Sequence, residues 1–296
     1  MGYISVKEAS ENWGITERVV RQYCADGRVP GAFITGKTWN IPDTAKKPDR
    51  KPRQRLVPED LAGRLVMEKE NGIPGGIYHK VQIELTYNSN HIEGSRLTHD
   101  QTRYIFETNT IDAQDGSMNV DDILETVNHF RCIDLIIDRV KQPLTETLIK
   151  QLHLILKSGT ADNRKSWFAV GAYKRLANEV GGRGTAAPKD VPAKMKELLS
   201  DYRKQETVTF DDLLEFHYRF ECIHPFQDGN GRVGRLILFK ECLRNGIVPF
   251  IIEDDMKMYY YRGLQEWKNE RGYLRDTCLT AQDRFKTYLD YYGVKY

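Results

Sequence analysis

Apolar residues recur three and four positions apart through most of the chain, which predicts helices, and two stretches depart from that rhythm. From Pro58 onward one helical run covers about 58–70 and stops at the Asn71, Gly72, Pro74, Gly75, Gly76 breaker. A second begins near Ile77, places Val81 and Leu85 on one face, and ends in Ser89, Asn90, His91, Ile92, Glu93, Gly94. Thr98 and Gln101 form a capping box for the next. Ile123, Val127, Phe130, Ile133 and Ile137 predict a core helix over 120–140, and Leu148, Leu152 and Ile155 another that starts at Thr145. His129 and His153 fall inside these helices and are expected as satisfied core histidines rather than ligands. Met195, Leu198, Leu199 and Tyr202 mark a further helix, and Asp211 or Asp212 is expected to cap the one that ends at Cys222. Leu236, Phe239 and Leu243 continue a helix closed by Asn245 and Gly246, Met256 to Leu264 lie in another, and 273–292 reads as packing. Residues 167–190, WFAVGAYKRLANEVGGRGTAAPKD, break the period and read as a hairpin followed by a loop.

The other departure is residues 1–45. Ser5 with Glu8 makes a capping box for VKEASENW, and Gly14 breaks that run. Thr16 is expected to cap ERVVRQYCADG, which carries Val19, Val20 and Tyr23 at helical spacing and Gly27 at its end. VPGAFITGKTWNIP then predicts a two-stranded wing turning at Gly36. Two short helices and a wing resemble the winged helix-turn-helix heads of excisionase and MerR-like proteins, in which the second helix would carry Arg18 and Arg21 toward a major groove. Protein docking or dimerisation is the alternative use of such a module. Residues 46–57 alternate Lys and Arg with Pro and read as a basic linker. The expected organisation is therefore 1–45 head, 46–57 linker and 58–296 helical domain.

Composition narrows the setting. Residues 1–57 hold 11 Lys/Arg against 6 Asp/Glu, while the remainder holds 33 against 36, so the head is the basic part. No stretch approaches the ~20 apolar residues that span a bilayer. The polar opening MGYISVKEASENWG is unlike a signal peptide, which points to a cytoplasmic protein without a membrane partner. Cys24, Cys132, Cys222, Cys242 and Cys278 form no CxxC pair and are expected as small buried hydrophobes.

Chemistry concentrates in His224 to Arg235, HPFQDGNGRVGR. Pro225 ends the preceding helix, and Gly229 and Gly231 permit a turn whose N–H groups converge on one concavity at the start of the next. A helix N-terminus favours an anion. Arg232 and Arg235, three apart, can each grip phosphate oxygens. Asp228 is the one carboxylate among these cations, as a hard divalent ion bridging phosphates would require. His224 supplies an imidazole able to take a proton at cellular pH. The stretch reads as a base, a metal ligand and an anion cradle.

HPFQDGNGRVGR matches at every fixed position the HPFx[D/E]GNGRxxR signature of the Fic domain family, which the chain from 58 to 296 therefore resembles. The resemblance implies a mainly α fold, with a helical core and a small β-hairpin flap over 167–190 that holds a target protein by strand addition. It implies ATP and Mg²⁺ as cofactors and AMP transfer to a Ser, Thr or Tyr hydroxyl, of a target or of the protein itself. His224 would be the base and Asp228 the metal ligand; Gly229, Asn230, Gly231, Arg232 and Arg235 would hold the phosphates, with Asn230 and the loop amides stabilising developing charge. Tyr260 is the expected neighbour of adenine. Ser89 and Glu93 fit the family's [S/T]xxxE[G/N] inhibitory motif, in which Glu93 would pair with Arg235 and block the γ-phosphate seat. The usual arginine of the flap stands here as Lys174, which leaves that contact open. Release of inhibition would involve an oligomeric change, a partner or a modification. A hydrolase removing AMP, a DNA-bound regulator with a nucleotide-sensing core contacting DNA through 1–57, and a UMP or phosphocholine donor are the alternatives.

Overall fold

In a computed structural model, which describes residues 2–49, 57–111 and 117–296, the chain divides into two units, Met1–Leu56 and Val57–Tyr296. Residues 50–56 of the expected linker lie outside the described residues.

In the first unit β1 (Tyr3–Ile4), α1 (Val6–Trp13) and α2 (Glu17–Ala25) precede a hairpin of β2 (Phe33–Thr35) and β3 (Thr38–Pro42). The Ser5 capping box forms: Ser5 Oγ accepts from Glu8 N, and Ser5 N donates to Glu8 Oε2 at 2.8 Å. Gly14 leaves α1 in the left-handed region at φ 62°, where glycine pays no Cβ penalty. Thr16 stands at the N-cap of α2, but its side chain makes no capping bond. The hairpin turns at Gly36 as predicted, and β1 adds to the far edge of β3, giving an antiparallel sheet in the order β1-β3-β2. Val6, Ala9, Trp13, Val20, Cys24, Val29 and Ile41 fill its core.

The second unit is helical. It runs α3 (Leu61–Asn71), α4 (Ile77–Ile92), α5 (His99–Thr108), α6 (Val120–Asp138) and α7 (Glu146–Leu156), then a stretch without α-helix, then α8 (Val191–Arg203), α9 (Phe210–Ile223), α10 (Asn230–Arg244), α11 (Lys257–Glu266) and α12 (Gly272–Tyr292). Every residue of α10 from Arg232 to Leu243 is buried. That is the mark of a helix enclosed on all sides rather than laid on a surface. Around it pack α9, α6, α7, α4 and α3. Among the described residues no helix is long and apolar enough to cross a membrane.

Three expectations need correcting. Thr209, not Asp211 or Asp212, caps α9: its Oγ1 accepts from Asp212 N at 3.2 Å, and Asp212 serves as the returning N3 acceptor. Cys222 is exposed, while the other four cysteines are buried as expected. Within 167–190 the hairpin is confined to β4 (Glu179–Val180) and β5 (Arg183–Gly184) and is preceded, not followed, by the longer irregular stretch. The backbone there finds partners elsewhere. Lys174 N donates to Pro225 O at 2.9 Å, Leu176 N to Gln227 Oε1 at 3.2 Å, and Phe226 O accepts from Asn178 Nδ2 at 2.9 Å.

Where α11 crosses α12, Gly263 is the contact. A Cβ at Gly263 would stand 2.6 Å from Leu274 Cα and 2.7 Å from Leu274 N, both backbone atoms that cannot swing aside. Gly263→Ala is expected to destabilise the chain by about 1–3 kcal/mol through overpacking. A urea-denaturation midpoint equal to that of the parent would show that the helices do not approach this closely.

Candidate active site

The turn between α9 and α10 is held by its own side chains. Asn230 accepts from Phe226 N at 2.8 Å and donates to Phe226 O at 2.9 Å, closing the loop on itself. Phe226 is fully buried and stacks on His153, with ring centroids 4.0 Å apart and planes 8° from parallel. Gly171 N donates to His153 Nδ1 at 2.9 Å, so Nε2 is the donor to Asp228 O at 3.1 Å. Burial and the nearby Lys157 push His153 down to about 3, which keeps it neutral. His153 is thus a satisfied core histidine, as expected; His129 is likewise a core histidine, bonded through Nδ1 to Thr86 Oγ1 at 2.9 Å, but its Nε2 is buried without a partner. The oxygen and one N–H of the Asn230 amide are thus spent on bracing the loop.

Gly229 has φ 79° and begins α10. His224, the residue that ends α9, is also left-handed, at φ 49°. For a residue other than glycine this costs about 1–2 kcal/mol, and such strain gathers at functional sites.

One group of candidates surrounds a cavity of 880 Å³, within the range of ligand pockets. His224, Gly231, Arg235, Tyr260 and Glu93 all line it, together with Glu179 and Val180 of the hairpin and Tyr261 and Leu264 of α11. Arg235 is 5% exposed and held by α4: its Nε donates to Ser89 Oγ at 3.0 Å, and its Nη2 to Ser89 O at 2.8 Å and Glu93 Oε1 at 2.7 Å. The Glu93 oxygen lies directly over Gly231, where any Cβ would overlap it. Its carboxylate therefore rests on the first turn of α10, the place where the helix dipole favours an anion. Tyr260 is 1% exposed and bonds His217 Nε2 at 2.6 Å, forming a wall, whereas Tyr261 keeps a partly exposed ring in the cavity.

Asp228 and Arg232 lie in a second, adjoining cluster around Lys157. The Lys157 ammonium, 3% exposed, meets Asp162 and Asp228 at 2.7 Å each and also Glu125. Arg232, nearly buried, pairs with Glu125 and reaches Asp228 at 3.4 Å. Burial alone would raise the Asp228 carboxyl, but Arg232 and Lys157 outweigh it and hold the group well below the ordinary carboxylate range. Glu125, Asp162 and Asp228 bring oxygens within 4.8 Å of one another, a hard-donor set that suits Mg²⁺. All three are engaged by Lys157, Asp228 through Oδ2, and of the three the Asp228 side chain is the most exposed, at 52%. The donor set therefore fits an ion held by one carboxylate and completed from outside the protein.

Behind His224 stands Glu221, one turn earlier on α9, with its Oε2 3.7 Å from His224 Nδ1. Burial would raise the Glu221 carboxyl, but His224, His217 and Arg235 outweigh it and hold it below its ordinary value. Burial pushes His217 itself down to about 4. Glu221 and His217 stand three and seven residues before His224, a spacing on one helical face that could have pointed to them. Lys157 and Glu125 carried no sequence signal, since each is a single charged residue in an unremarkable helix. Lys174 proves to be buried: its Nζ donates to Asn178 Oδ1 and Thr185 Oγ1, at 2.6 Å each, and to Ile223 O at 3.3 Å, tying the base of the hairpin to the end of α9.

Residues 143–241, which contain the loop and most of α10, match the model of the Fic/DOC family, and this stretch is a Fic/DOC family domain. The protein adenylyltransferase Fic of Aedes aegypti is 30% identical over 192 residues, 62% of this chain and 36% of that protein. The protein of the same name from Drosophila willistoni is 30% identical over 189 residues, 60% of this chain and 35% of that one. The chain thus spans about a third of the length of these relatives. Among solved structures, a Fic domain containing signalling protein from Bacteroides thetaiotaomicron superposes with a TM-score of 0.58 at 25% identity, covering 78% of this chain and 91% of that one. Fic-1 from C. elegans, at 21% identity and a TM-score of 0.59 over 75% of this chain and 65% of that one, shares the fold.

Lys157→Met removes the cation from among three carboxylates. Breaking a buried ion pair in this way is expected to cost about 3–5 kcal/mol at pH 7. A carboxyl depressed in the folded state stabilises above its unfolded pKa, about 4, and loses that contribution as pH falls through the folded value. The deficit of the variant should therefore hold from pH 7 down to about pH 4 and shrink as pH falls further, as read from denaturation midpoints. A deficit that stays constant or grows below about pH 4 would show that Lys157 does not neutralise this cluster.

Proposed function

We propose that the chain is a protein adenylyltransferase that moves AMP from ATP to a Ser, Thr or Tyr hydroxyl of a target protein or of itself, and that Glu93 inhibits it. The observation that supports this most is the shared cavity of His224, Gly231 and Arg235 with the Glu93 carboxylate seated on the first turn of α10.

In this reading the triphosphate lies along that turn, with Arg235 facing its terminal groups and the loop amides facing the rest. His224 accepts the proton of the hydroxyl. The freed oxygen bonds to the α-phosphorus as the bond from that phosphorus to the bridging oxygen breaks, and pyrophosphate leaves. Asp228 would hold Mg²⁺, which supplies charge neutralisation to the phosphates when bound. Arg232 acts from beneath, fixing Asp228 and Glu125. Positioning and charge stabilisation supply most of the rate, since phosphoryl-type transfers leave little covalent work to the protein. Tyr261, with its exposed ring, is better placed than Tyr260 to lie against adenine. The hairpin at 179–184, on the cavity rim, presents an edge for the target segment.

The Glu93–Arg235 contact accounts for inhibition. A carboxylate bonded to a nearly buried guanidinium holds its place more firmly than an exposed pair, which is worth only about 0–1 kcal/mol. Phosphate must displace it to reach the same donors.

The first unit is proposed to bind duplex DNA through α2. Arg18 is exposed there, whereas Arg21 is bonded to Glu17 at 2.6 Å and gives up part of its charge.

Two experiments test these readings. With α-³²P-ATP, Glu93→Gly is expected to raise self-labelling at least tenfold, and His224→Ala added to it to lower labelling by about 10²–10⁴-fold; equal labelling of parent and Glu93→Gly removes the inhibitory role, and transfer without His224 removes the base. For the first unit, full-length protein should bind duplex with an affinity that falls steeply with salt, and Arg18→Ala should weaken it. Binding untouched by both changes would sink the DNA reading.

A further inference from the structure

We propose that Glu221 is a positioning residue for His224: its carboxylate fixes the proton on Nδ1 and leaves Nε2 as the accepting nitrogen toward the cavity. This rests on the reading of His224 as the base.

Three observations carry the inference. The left-handed backbone at His224 folds the ring back over the last turn of α9, so that Nδ1 faces Glu221 Oε2 at 3.7 Å. Both His224 Nδ1 and Glu221 Oε1 are sealed from water without a hydrogen-bond partner. A buried carboxylate with an idle oxygen is a poor choice for stability alone, because desolvation goes uncompensated. Catalytic hydrogen bonds in unliganded sites are often long and tighten when the ligand arrives. The 3.7 Å separation of Nδ1 from Oε2 is of that kind, and Nδ1 is already sealed from water.

The surroundings are built to keep the carboxylate there. Glu221 Oε1 is wedged between α9 and α10 at Gly234, where a Cβ would stand 2.5 Å from it and 3.0 Å from His217 Cε1. His217 is anchored on its far side by the Tyr260 hydroxyl. Glu221 thus faces two imidazoles and the Arg235 guanidinium, the groups that favour its ionised form.

Neutral imidazole holds one proton on either nitrogen, and only the form protonated at Nδ1 has a free lone pair at Nε2. A carboxylate beside Nδ1 selects that form and receives the positive charge next to itself once Nε2 has taken the hydroxyl proton. No proton need move to Glu221. Where an orienting carboxylate of this kind has been neutralised in a serine protease, kcat falls by about 10⁴-fold.

The test uses the full chain carrying Glu93→Gly, so that transfer is unrestrained. Adding Glu221→Leu is expected to lower kcat by about 10²-fold or more with ATP affinity, measured by calorimetry, unchanged. Glu221→Gln keeps an oxygen acceptor and should fall between the two. In ¹⁵N-histidine spectra, assigned with His224→Ala, the parent His224 should show the single form protonated at Nδ1, and the Gln variant a mixture. Undiminished kcat in Glu221→Leu overturns the proposal, as does a loss of ATP affinity that matches the loss in kcat. If Glu221→Leu does not fold, the Gln variant decides by the same criteria. Should Glu93→Gly itself transfer no AMP, the adenylyltransferase reading fails. The spectra still judge Glu221, and a parent His224 in mixed forms overturns its role.

Discussion

Two guanidiniums buried at the start of an enclosed helix set the terms for everything around them. Arg232 and Arg235 stand in the first turns of α10 at 5% exposure each, and cations so placed demand carboxylates and acceptors in return. The chain meets that demand from two sides. Glu93 and Ser89 come from α4 to Arg235, and Glu125 from α6 with Asp228 from the loop to Arg232. Lys157 then balances the surplus negative charge that Glu125, Asp162 and Asp228 create together. Packing of the helices and readiness for an anionic ligand are consequently one electrostatic problem with one solution.

The loop between α9 and α10 is rigid for reasons that lie outside it. The Phe226 ring rests on His153 of α7, the backbone at Pro225 accepts from Lys174, and Asn178 reaches the Phe226 carbonyl. The stretch that leads into the small hairpin is therefore fastened to the same loop that carries His224. Lys174 does this from a buried position, so a long cationic side chain serves as internal cross-brace. It makes the hairpin base and the loop a single mechanical piece.

Much of this was legible in the residues. The helical periodicity of 120–140 and 145–155 gave α6 and α7 nearly to their ends, because apolar spacing and capping pointed the same way. The loop from His224 to Arg235 announced its chemistry by concentration, and the Ser89/Glu93 spacing placed both on the face that meets Arg235. What stayed hidden was tertiary. Asn230 looked like a ligand, yet it closes its own loop; Tyr260 looked like a ring for adenine, yet it is walled in against His217. The hairpin was displaced because backbone groups over 174–178 found partners fifty residues away, which no local pattern records. Lys157 and Glu125 acquire meaning only when α6 and α7 bring them to Asp228.

Gly231 bears on how such a protein can change over generations. The missing methyl group leaves space for the glutamate that covers the helix end, and the same space is what a phosphate would need to reach the backbone there. A bulkier residue at this point would force the glutamate carboxylate to shift. Restraint can therefore be tuned from both sides, at the glutamate of α4 and at the helix position it covers.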